Sequence, residues 1–559
     1  MTRIPEDPAG VFPDPATITV DGQSRPARAG ESVAAALIAD GRAAWRETRT
    51  GGKPRGVFCG IGACFDCLVT VNGETDVRAC LRQVCDGDEI TTTAPEVSAR
   101  PPRVPAADVS VPIVVVGAGP AGLHAALAAA GAGARVLLLD SNPRGGGQYH
   151  RQLPESFRAS RPEKAHPGQA EAAALLARIA GHELIEHRPN TTVWAAEAAE
   201  PALRPGGSNP AEAGEAGHVL HTTTGTVRAE RVVLATGAYD RAVPFPGWDL
   251  PGVYTAGAAQ ALVKGQRVRP GSRMLVGGTG PFLLPVASGL LAAGVKLEGV
   301  LEANRPAGGW LRRPGILASA PSKLLEAAKY NLTLARHGLR VANGQAIVAV
   351  HGSRRVEAAT VARLRPDWTI ESTRTVEVDA VAIGYGFTPQ LELAIALGCS
   401  AGAFVDVDSQ QLTSVPGVYA AGELTGIGGA VLSAAEGRIA GLAAAGAVPD
   451  QRAARTRGRY ARFATALAEI YPVRDGWQSW LDETTLVCRC EEVSYQTIRD
   501  TVTEHAVTGT KTLKLCTRAG LGWCQGRVCG RNVADLTGLP AADHRPVASP
   551  ICLGDLAGA

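Results

Sequence analysis

Residues 113–140, IVVVGAGPAGLHAALAAAGAGARVLLLD, constrain the fold more than any other stretch of this 559-residue chain. A β-branched run over 113–116 leads into Gly117, Gly119 and Gly122, spaced G-x-G-x-x-G, with Pro120 and Ala121 inside the motif. The first glycine lets the chain turn sharply. The second lets backbone approach a pyrophosphate, and the third lets a helix pack close to the strand. The helix N-terminus then offers free N–H groups and a positive dipole end to the phosphates. A second apolar run over 136–139 ends in Asp140, where an acid can take a ribose hydroxyl. Strand, turn, helix, strand and acid stand in register, so the stretch predicts a dinucleotide site in an α/β layer.

The cysteines carry the next constraint. Of twelve, five fall between 59 and 85 and five between 488 and 529; Cys399 and Cys552 stand apart. Such clustering points to metal or redox chemistry rather than disulfides. Cys59, Cys64 and Cys67 read C-x4-C-x2-C, and Cys80 follows the next predicted strand. This is plant-type [2Fe–2S] spacing, and it suits a zinc site poorly, since zinc favours C-x2-C pairs. Cys85 could replace Cys80 as ligand or be an ordinary thiol. Near the C-terminus, Cys488-R-Cys490 and Cys524-Q-G-R-V-Cys529 flank a helix expected over 495–504. Two separated pairs can clamp a cluster from opposite sides; zinc and inert thiols are the alternatives, and Cys516 could compete.

The length allows about three to five domains. With 56 Lys and Arg against 53 Asp and Glu, the net charge of +3 makes no case for nucleic acid or a lipid surface. The first fifteen residues lack the apolar region of a signal peptide. Residues 274–295 are uncharged and long enough to cross a bilayer, but Gly277, Gly278, Gly280, Pro281 and Pro285 favour a buried strand, turn and helix. No transmembrane segment is expected. Gly278 and Gly280 repeat the G-x-G of the first motif, but Leu283 takes the third glycine position, where bulk pushes the helix away from the strand. Glu302 ends the following strand as a candidate ribose partner. This second domain is expected to hold NAD(P), to hold another nucleotide, or to stand empty. A basic stretch with Arg452, Arg455, Arg457, Arg459 and Arg462 reads as a solvated face or a partner contact.

These parts imply an α/β chain with two Rossmann-like dinucleotide domains, the second inserted in the first. A ferredoxin-like [2Fe–2S] domain occupies 1–100, with a Pro-rich linker to 112. The first dinucleotide domain takes 113–249 and 371–450, including a strand over 379–384, and the second takes 250–370. A small helical [2Fe–2S] domain takes 451–559. Residues 200–217 read as an exposed insertion.

The short gap before Cys80 resembles the β-grasp ferredoxin-like domains of succinate dehydrogenases and molybdenum hydroxylases. The C-terminal cysteines resemble the bacterioferritin-associated-ferredoxin (BFD) type, with C-x4-C where that type often has C-x2-C. Three stretches resemble the α-type subunits of heteromeric amino-acid dehydrogenases: GGGQYHR at 145–151, ATGAYDRAVPFPGWDLPGVYTAGAAQ at 235–260, and CRCEE…CQGRVCG. Opine oxidases, hydroxyproline and proline dehydrogenases, hydrogen cyanide synthase and sarcosine oxidase α belong to that group. The resemblance implies that Gly146, Gly147 and Gln148 lie along an FAD, that Ala235, Thr236 and Gly237 close over it, and that Gly422 and Glu423 reach its ribityl chain, with Glu423 where Asp is commoner. It further implies FAD and two [2Fe–2S] clusters as cofactors. A partner β-subunit with a D-amino-acid-oxidase-like flavin fold would oxidise the substrate. A further small subunit and a downstream electron acceptor are partners of the same kind. Localisation would be cytoplasmic, with a peripheral place at the inner membrane through the complex left open. No catalytic base is assigned: His124 and His150 stand nearest the expected flavin, and a lone histidine there is more often a packing residue. The alternative function is a self-contained NAD(P)H-dependent flavin and iron–sulfur reductase. A weaker one is an assembly scaffold.

Overall fold

A computed structural model describes residues 3–5, 7–92, 108–165, 168–199, 217–540, 545, 547–551 and 556. Most of the expected linker, nearly all of the expected insertion, and Cys552 lie outside the described residues.

The N-terminal module is a β-grasp. Its sheet runs in the order Gln23–Arg28, Pro15–Val20, Glu89–Thr91, Leu68–Val71, Glu74–Arg78. Pro15–Val20 and Glu89–Thr91 pair parallel, and the other pairs are antiparallel. Ala16, Ile18 and Val20 turn inward at the two-residue period of a half-buried strand. They meet helix Val33–Ala39, which Ser32 caps by accepting from Ala35 N at 3.2 Å.

The first dinucleotide sheet places Ile185–Arg188, Val136–Leu139, Val109–Val116 and Gly225–Leu234 side by side, all parallel. Residues 113–116 and Val136–Leu139 are buried throughout, as strands covered on both faces must be. Val418–Ala420 joins this sheet beside Gly225–Leu234. Between these two strands the chain builds a second parallel sheet: Val253–Thr255, Ala380–Gly384, Arg273–Gly278, Lys296–Glu302, Val341–Asn343. The second domain is thus an insertion in the first. Ala238–Asp240 and Phe387–Pro389, where the chain leaves and returns, pair antiparallel.

One boundary is corrected. The strand expected over 379–384 as the resumption of the first domain is a central strand of the second sheet. All five residues of Ala380–Gly384 are buried, and they hydrogen-bond to Val253–Thr255 on one side and Arg273–Gly278 on the other. Residues 274–295 form strand Arg273–Gly278 and helix Leu283–Ala292. Among the described residues no helix is long and apolar enough to cross a membrane.

Helix Pro120–Gly131 of the glycine motif packs on Ala430–Ala444 at backbone distance. A Cβ on Gly437 would stand 2.0 Å from Ala121 O, and one on Gly441 would stand 2.2 Å from Ala125 O. The C-terminal part begins with helix Gln451–Ile470, where Arg452, Arg455, Arg459 and Arg462 are exposed and Arg457 lies 3.9 Å from Glu436. A short hairpin, Leu486–Cys488 with Val493–Ser494, and helices Tyr495–Glu504, Thr510–Thr517 and Gly530–Thr537 follow. The β-grasp core is continuous with that of the second dinucleotide domain: Ile18, Leu37 and Val69 share one apolar cluster with Leu262, Met274 and Leu290.

The helix contact predicts opposite signs for two Gly→Ala changes. Gly437→Ala overpacks and should cost about 1–3 kcal/mol. Gly458→Ala, where an added Cβ meets nothing within 4 Å, should raise stability by about 0.5–1 kcal/mol. Calorimetric or denaturant unfolding of the two variants reads both.

Candidate redox centre

The glycine motif folds as a cradle. Gly117 has a φ of 102°, and a Cβ there would strike Ala235 O at 2.4 Å, so the Ala235–Thr236–Gly237 turn presses directly on it. Gly146 N donates to Ala118 O at 2.7 Å, and a Cβ on Gly147 would come 2.9 Å from Gly119 Cα. Only side-chain-free residues allow two loops to meet this closely. Gly119 ends the turn, Pro120 opens the helix, and Leu123 N donates to Gly119 O at 2.9 Å. Asp140 is buried beneath the turn and accepts from Ala118 N at 2.6 Å and Asn142 N at 2.7 Å. Thr236 Oγ1 donates to Gln390 O at 3.1 Å. The cradle therefore fits a dinucleotide in the chemistry of its lining: free helix N-terminal amides, an acid at the strand end, and no bulk between.

Glu423 does not lie on open surface. It accepts from Gly429 N at 2.7 Å at the start of helix Ala430–Ala444, and burial raises its pKa. Sequence reasoning missed its neighbour Glu436. That carboxylate accepts from Gly422 N and Thr425 Oγ1, each at 2.9 Å, and burial pushes its pKa up to about 7. His124 Nδ1 is spent on Pro120 O of its own helix at 2.8 Å. His150 is buried with its backbone N donating to Gly146 O. Burial lowers the pKa of both imidazoles, so neither favours a proton.

In the second domain Glu302 repeats the role of Asp140, accepting from Thr279 Oγ1 at 2.7 Å, Gly280 N at 2.8 Å and Asn304 N at 2.8 Å. Leu283 is buried, and here the two motifs diverge. Helix Pro120–Gly131 starts directly after Gly119, whereas Leu283–Ala292 starts three residues after Gly280, through loose bonds such as Leu283 N to Gly280 O at 3.3 Å and Val286 N to Phe282 O at 3.4 Å. The leucine is accommodated by opening the first helical turn.

Both cysteine groups converge. Cys59, Cys64, Cys67, Cys488, Cys524 and Cys529 are buried free thiols, and Cys80 and Cys490 are partly buried. In the N-terminal loop Cys64 N donates to Cys59 Sγ at 3.3 Å and Asp66 N to Cys64 Sγ at 3.5 Å. Cys80 hydrogen-bonds Cys67, and Cys85 is exposed and turned to Arg82. In the C-terminal group Cys490 Sγ lies 3.8 Å from both Cys488 Sγ and Cys524 Sγ. Hydrogen bonds from Cys490 and then Cys529 hold Cys488 and Cys524 well below the ordinary thiol range. The same contacts raise Cys490 and Cys529, so the proton is shared within the group. Cys516 is exposed. What these donor sets offer a metal–sulfur centre is buried, convergent sulfur.

The two groups also meet each other, which the spacing does not reveal. Cys64 and Asp66 line one narrow crevice with Cys488, Arg489, Cys490 and Cys524. Arg489 donates to Asp66 Oδ2 from Nη2 at 2.7 Å and from Nε at 3.1 Å, with both side chains buried. Its guanidinium lies 3.9 Å from the Phe58 ring centre and 5.0 Å from that of Trp248, and it donates to Trp248 O. Phe65, at a φ of 60°, stacks on Trp523 at 6.1 Å. On the other side, Arg151 donates to Gln148 of the glycine loop and lines a small crevice with Cys80 and Gly60. The only advance signal for Asp66 and Arg489 was a charge placed between predicted ligands.

Fold and site together define a flavin oxidoreductase with a [2Fe–2S] domain at each end. The model of the 2Fe-2S iron-sulfur cluster binding domain matches residues 14–95, that of the pyridine nucleotide-disulphide oxidoreductases matches 111–446, and that of the BFD-like [2Fe-2S] binding domain matches 486–537. The opine oxidase A subunit of Rhizobium meliloti is 32% identical over 477 residues, covering 79% of this chain and 84% of that protein. The HcnB subunit of hydrogen cyanide synthase from Pseudomonas aeruginosa is 33% identical over 442 residues, covering 74% and 90%. The chain belongs to the pyridine nucleotide-disulphide oxidoreductase family and, within it, to the group of the opine oxidase A subunits. The alpha subunit of sarcosine oxidase from Corynebacterium sp. strain P-1 is 28% identical, over 78% of this chain and 44% of its own. The crystal structure of L-proline dehydrogenase from P. horikoshii shares the fold over 99% of both chains, at a TM-score of 0.67 and 20% identity.

Glu436 predicts a pH dependence of stability. Its folded pKa is raised from 4.5 to about 7. Its stabilising contribution is therefore complete below pH 4.5 and is lost as pH rises through about 7. The full loss is about 3 kcal/mol. Glu436→Gln should flatten that part of the profile. Denaturant melts of both proteins at pH 5 and pH 8 check it: the parent should lose more stability than the variant between the two.

Proposed function

We propose that the chain is the electron-transferring subunit of a heteromeric flavin-dependent amino-acid or opine dehydrogenase acting on secondary-amine (CH–NH) donors. The observation that carries this reading is the shared wall between the two thiol groups, with Arg151 linking one of them to the glycine loop. The naming of the relatives as subunits supports it. The partner is a β-subunit with a D-amino-acid-oxidase-like flavin fold, which binds and oxidises the substrate. A further small subunit and a downstream electron acceptor belong to the same cytoplasmic assembly.

Gly117, Gly119, Pro120, Ala121 and Gly122 offer backbone to the FAD pyrophosphate, and Asp140 to the adenosine ribose. Gly146, Gly147 and Gln148 line the flavin, the turn from Ala235 to Gly237 covers it, and Gly422 and Glu423 face the ribityl chain. FAD, when bound, supplies the exchange of two electrons at once for two taken singly. Cys59, Cys64, Cys67 and Cys80 hold one [2Fe–2S] cluster, and Cys488, Cys490, Cys524 and Cys529 the other. Each carries one electron. Gly278 and Gly280 offer a second nucleotide site, whose opened helix turn is less suited to a nicotinamide dinucleotide than the first.

An anaerobic titration of the iron-replete chain with NADH and NADPH tests the reading. Neither should bleach the flavin, and bleaching should follow addition of the β-subunit with an opine or imino-acid substrate. Rapid stoichiometric reduction by either nucleotide alone would make this a self-contained pyridine-nucleotide reductase. Cys524→Ser should lower bound iron and labile sulfide by about half, leaving one [2Fe–2S] spectrum of two. Cys85→Ser, at the exposed thiol, should leave both unchanged.

A further inference from the structure

We propose that Asp66 and Arg489 are positioning residues that hold the two iron–sulfur sites in direct contact, so that electrons pass between the clusters across one protein wall without returning to the flavin. Asp66 lies between Cys64 and Cys67, and Arg489 lies between Cys488 and Cys490. Their ion pair, at 2.7 Å, joins the two cysteine loops, next to Cys67 in one and between Cys488 and Cys490 in the other. Cys64 and Cys490 line the same crevice beside it. Leu68, Phe65 and Cys524 form a buried apolar cluster along the same wall, and the stack of Phe65 on Trp523 closes its edge.

The geometry also explains why an ion pair stands here. Both side chains are almost wholly buried, at 5% and 2% exposure. A buried pair is a weak source of net stability, but it is directional, and removing one partner leaves an uncompensated charge. Arg489 is further fixed by Phe58, Trp248 and the donation of Arg55 Nη2 to its carbonyl at 3.3 Å. The loops are therefore held in one relative placement. Each passage moves one electron from a reduced cluster to an oxidised one; no bond breaks and no proton moves.

The inference rests on the two ligand sets given under Proposed function, not on the identity of the donor. Its test therefore uses a chemical reductant, dithionite, on the full chain with both clusters loaded and no partner or nucleotide. In low-temperature electron paramagnetic resonance the two reduced clusters should show mutual spin–spin broadening, and each should speed the other's relaxation. Arg489→Gln should weaken this coupling while iron and labile sulfide stay at the parent level, and Arg489→Lys should restore part of it. The double variant Asp66→Asn with Arg489→Gln leaves no unpaired charge, so it reads the same loss even where the single variant folds poorly. Two non-interacting signals in the parent protein would overturn the proposal, as would coupling unchanged in the double variant. Reduction by NADH in the titration above would overturn the partner-dependent reading and leave this result standing.

Discussion

The buried guanidinium of Arg489 is the contact on which the arrangement of the modules depends. It belongs to the C-terminal cysteine hairpin, pairs with Asp66 of the N-terminal loop, and donates to Trp248 O at the edge of the second dinucleotide domain. Arg55 extends the network, donating to Arg489 O and to Asp249 O at 3.1 Å. Three segments distant in the chain are thereby fixed to one planar group with five donors. Such a group is costly to bury and about 3–5 kcal/mol more costly to leave unpaired, so the interface has one low-energy register. Trp248 itself is fully buried and bonds Leu486 O.

The glycine cradle is a second constraint, and it works by the absence of side chains. Gly119 meets Gly147, Gly117 meets the Ala235 carbonyl, and Gly437 and Gly441 meet the helix of the motif. Each approach is closer than a methyl group permits. The two dinucleotide motifs make a controlled comparison within one chain. Asp140 and Glu302 each brace their turn, Asp140 through Ala118 N and Glu302 through Gly280 N and Thr279 Oγ1. Leu283 takes the third glycine position and Phe282 stands where the first motif has Ala121, and the helix here starts later, through an opened first turn. The two domains share a fold, while their helix N-termini offer different geometry to a phosphate.

Burial and charge then divide the acidic groups by task. Glu436 and Glu423 sit one helical region apart behind the cradle, both raised by burial and both holding loop amides. Asp240 is likewise pushed up to about 6 by burial, between Thr255 and Arg151. These carboxylates hold backbone, as Asp140 does, and two of them, Glu436 and Asp240, change charge near neutral pH.

Much was legible in the sequence because the signals are local. G-x-G-x-x-G between two apolar runs, C-x4-C-x2-C, and paired cysteines around a helix each report a short-range geometry, and the parallel sheets and both convergent thiol groups follow that order. The strand over 379–384 was misassigned because AVAIG is equally apolar for either sheet; only hydrogen-bond register against Val253–Thr255 and Arg273–Gly278 distinguishes them. Glu436 gave no signal, since its partners Gly422 and Thr425 lie outside its own helix. Asp66 and Arg489 are separated by 423 residues, and pairing at that range depends on how modules pack rather than on any period or spacing. The sequence by itself determined the modules and their cysteine loops, because those rest on backbone conformation and neighbouring residues. The tertiary structure alone decided that the two cysteine loops share a wall, because burial and charge pairing act only once distant segments have met.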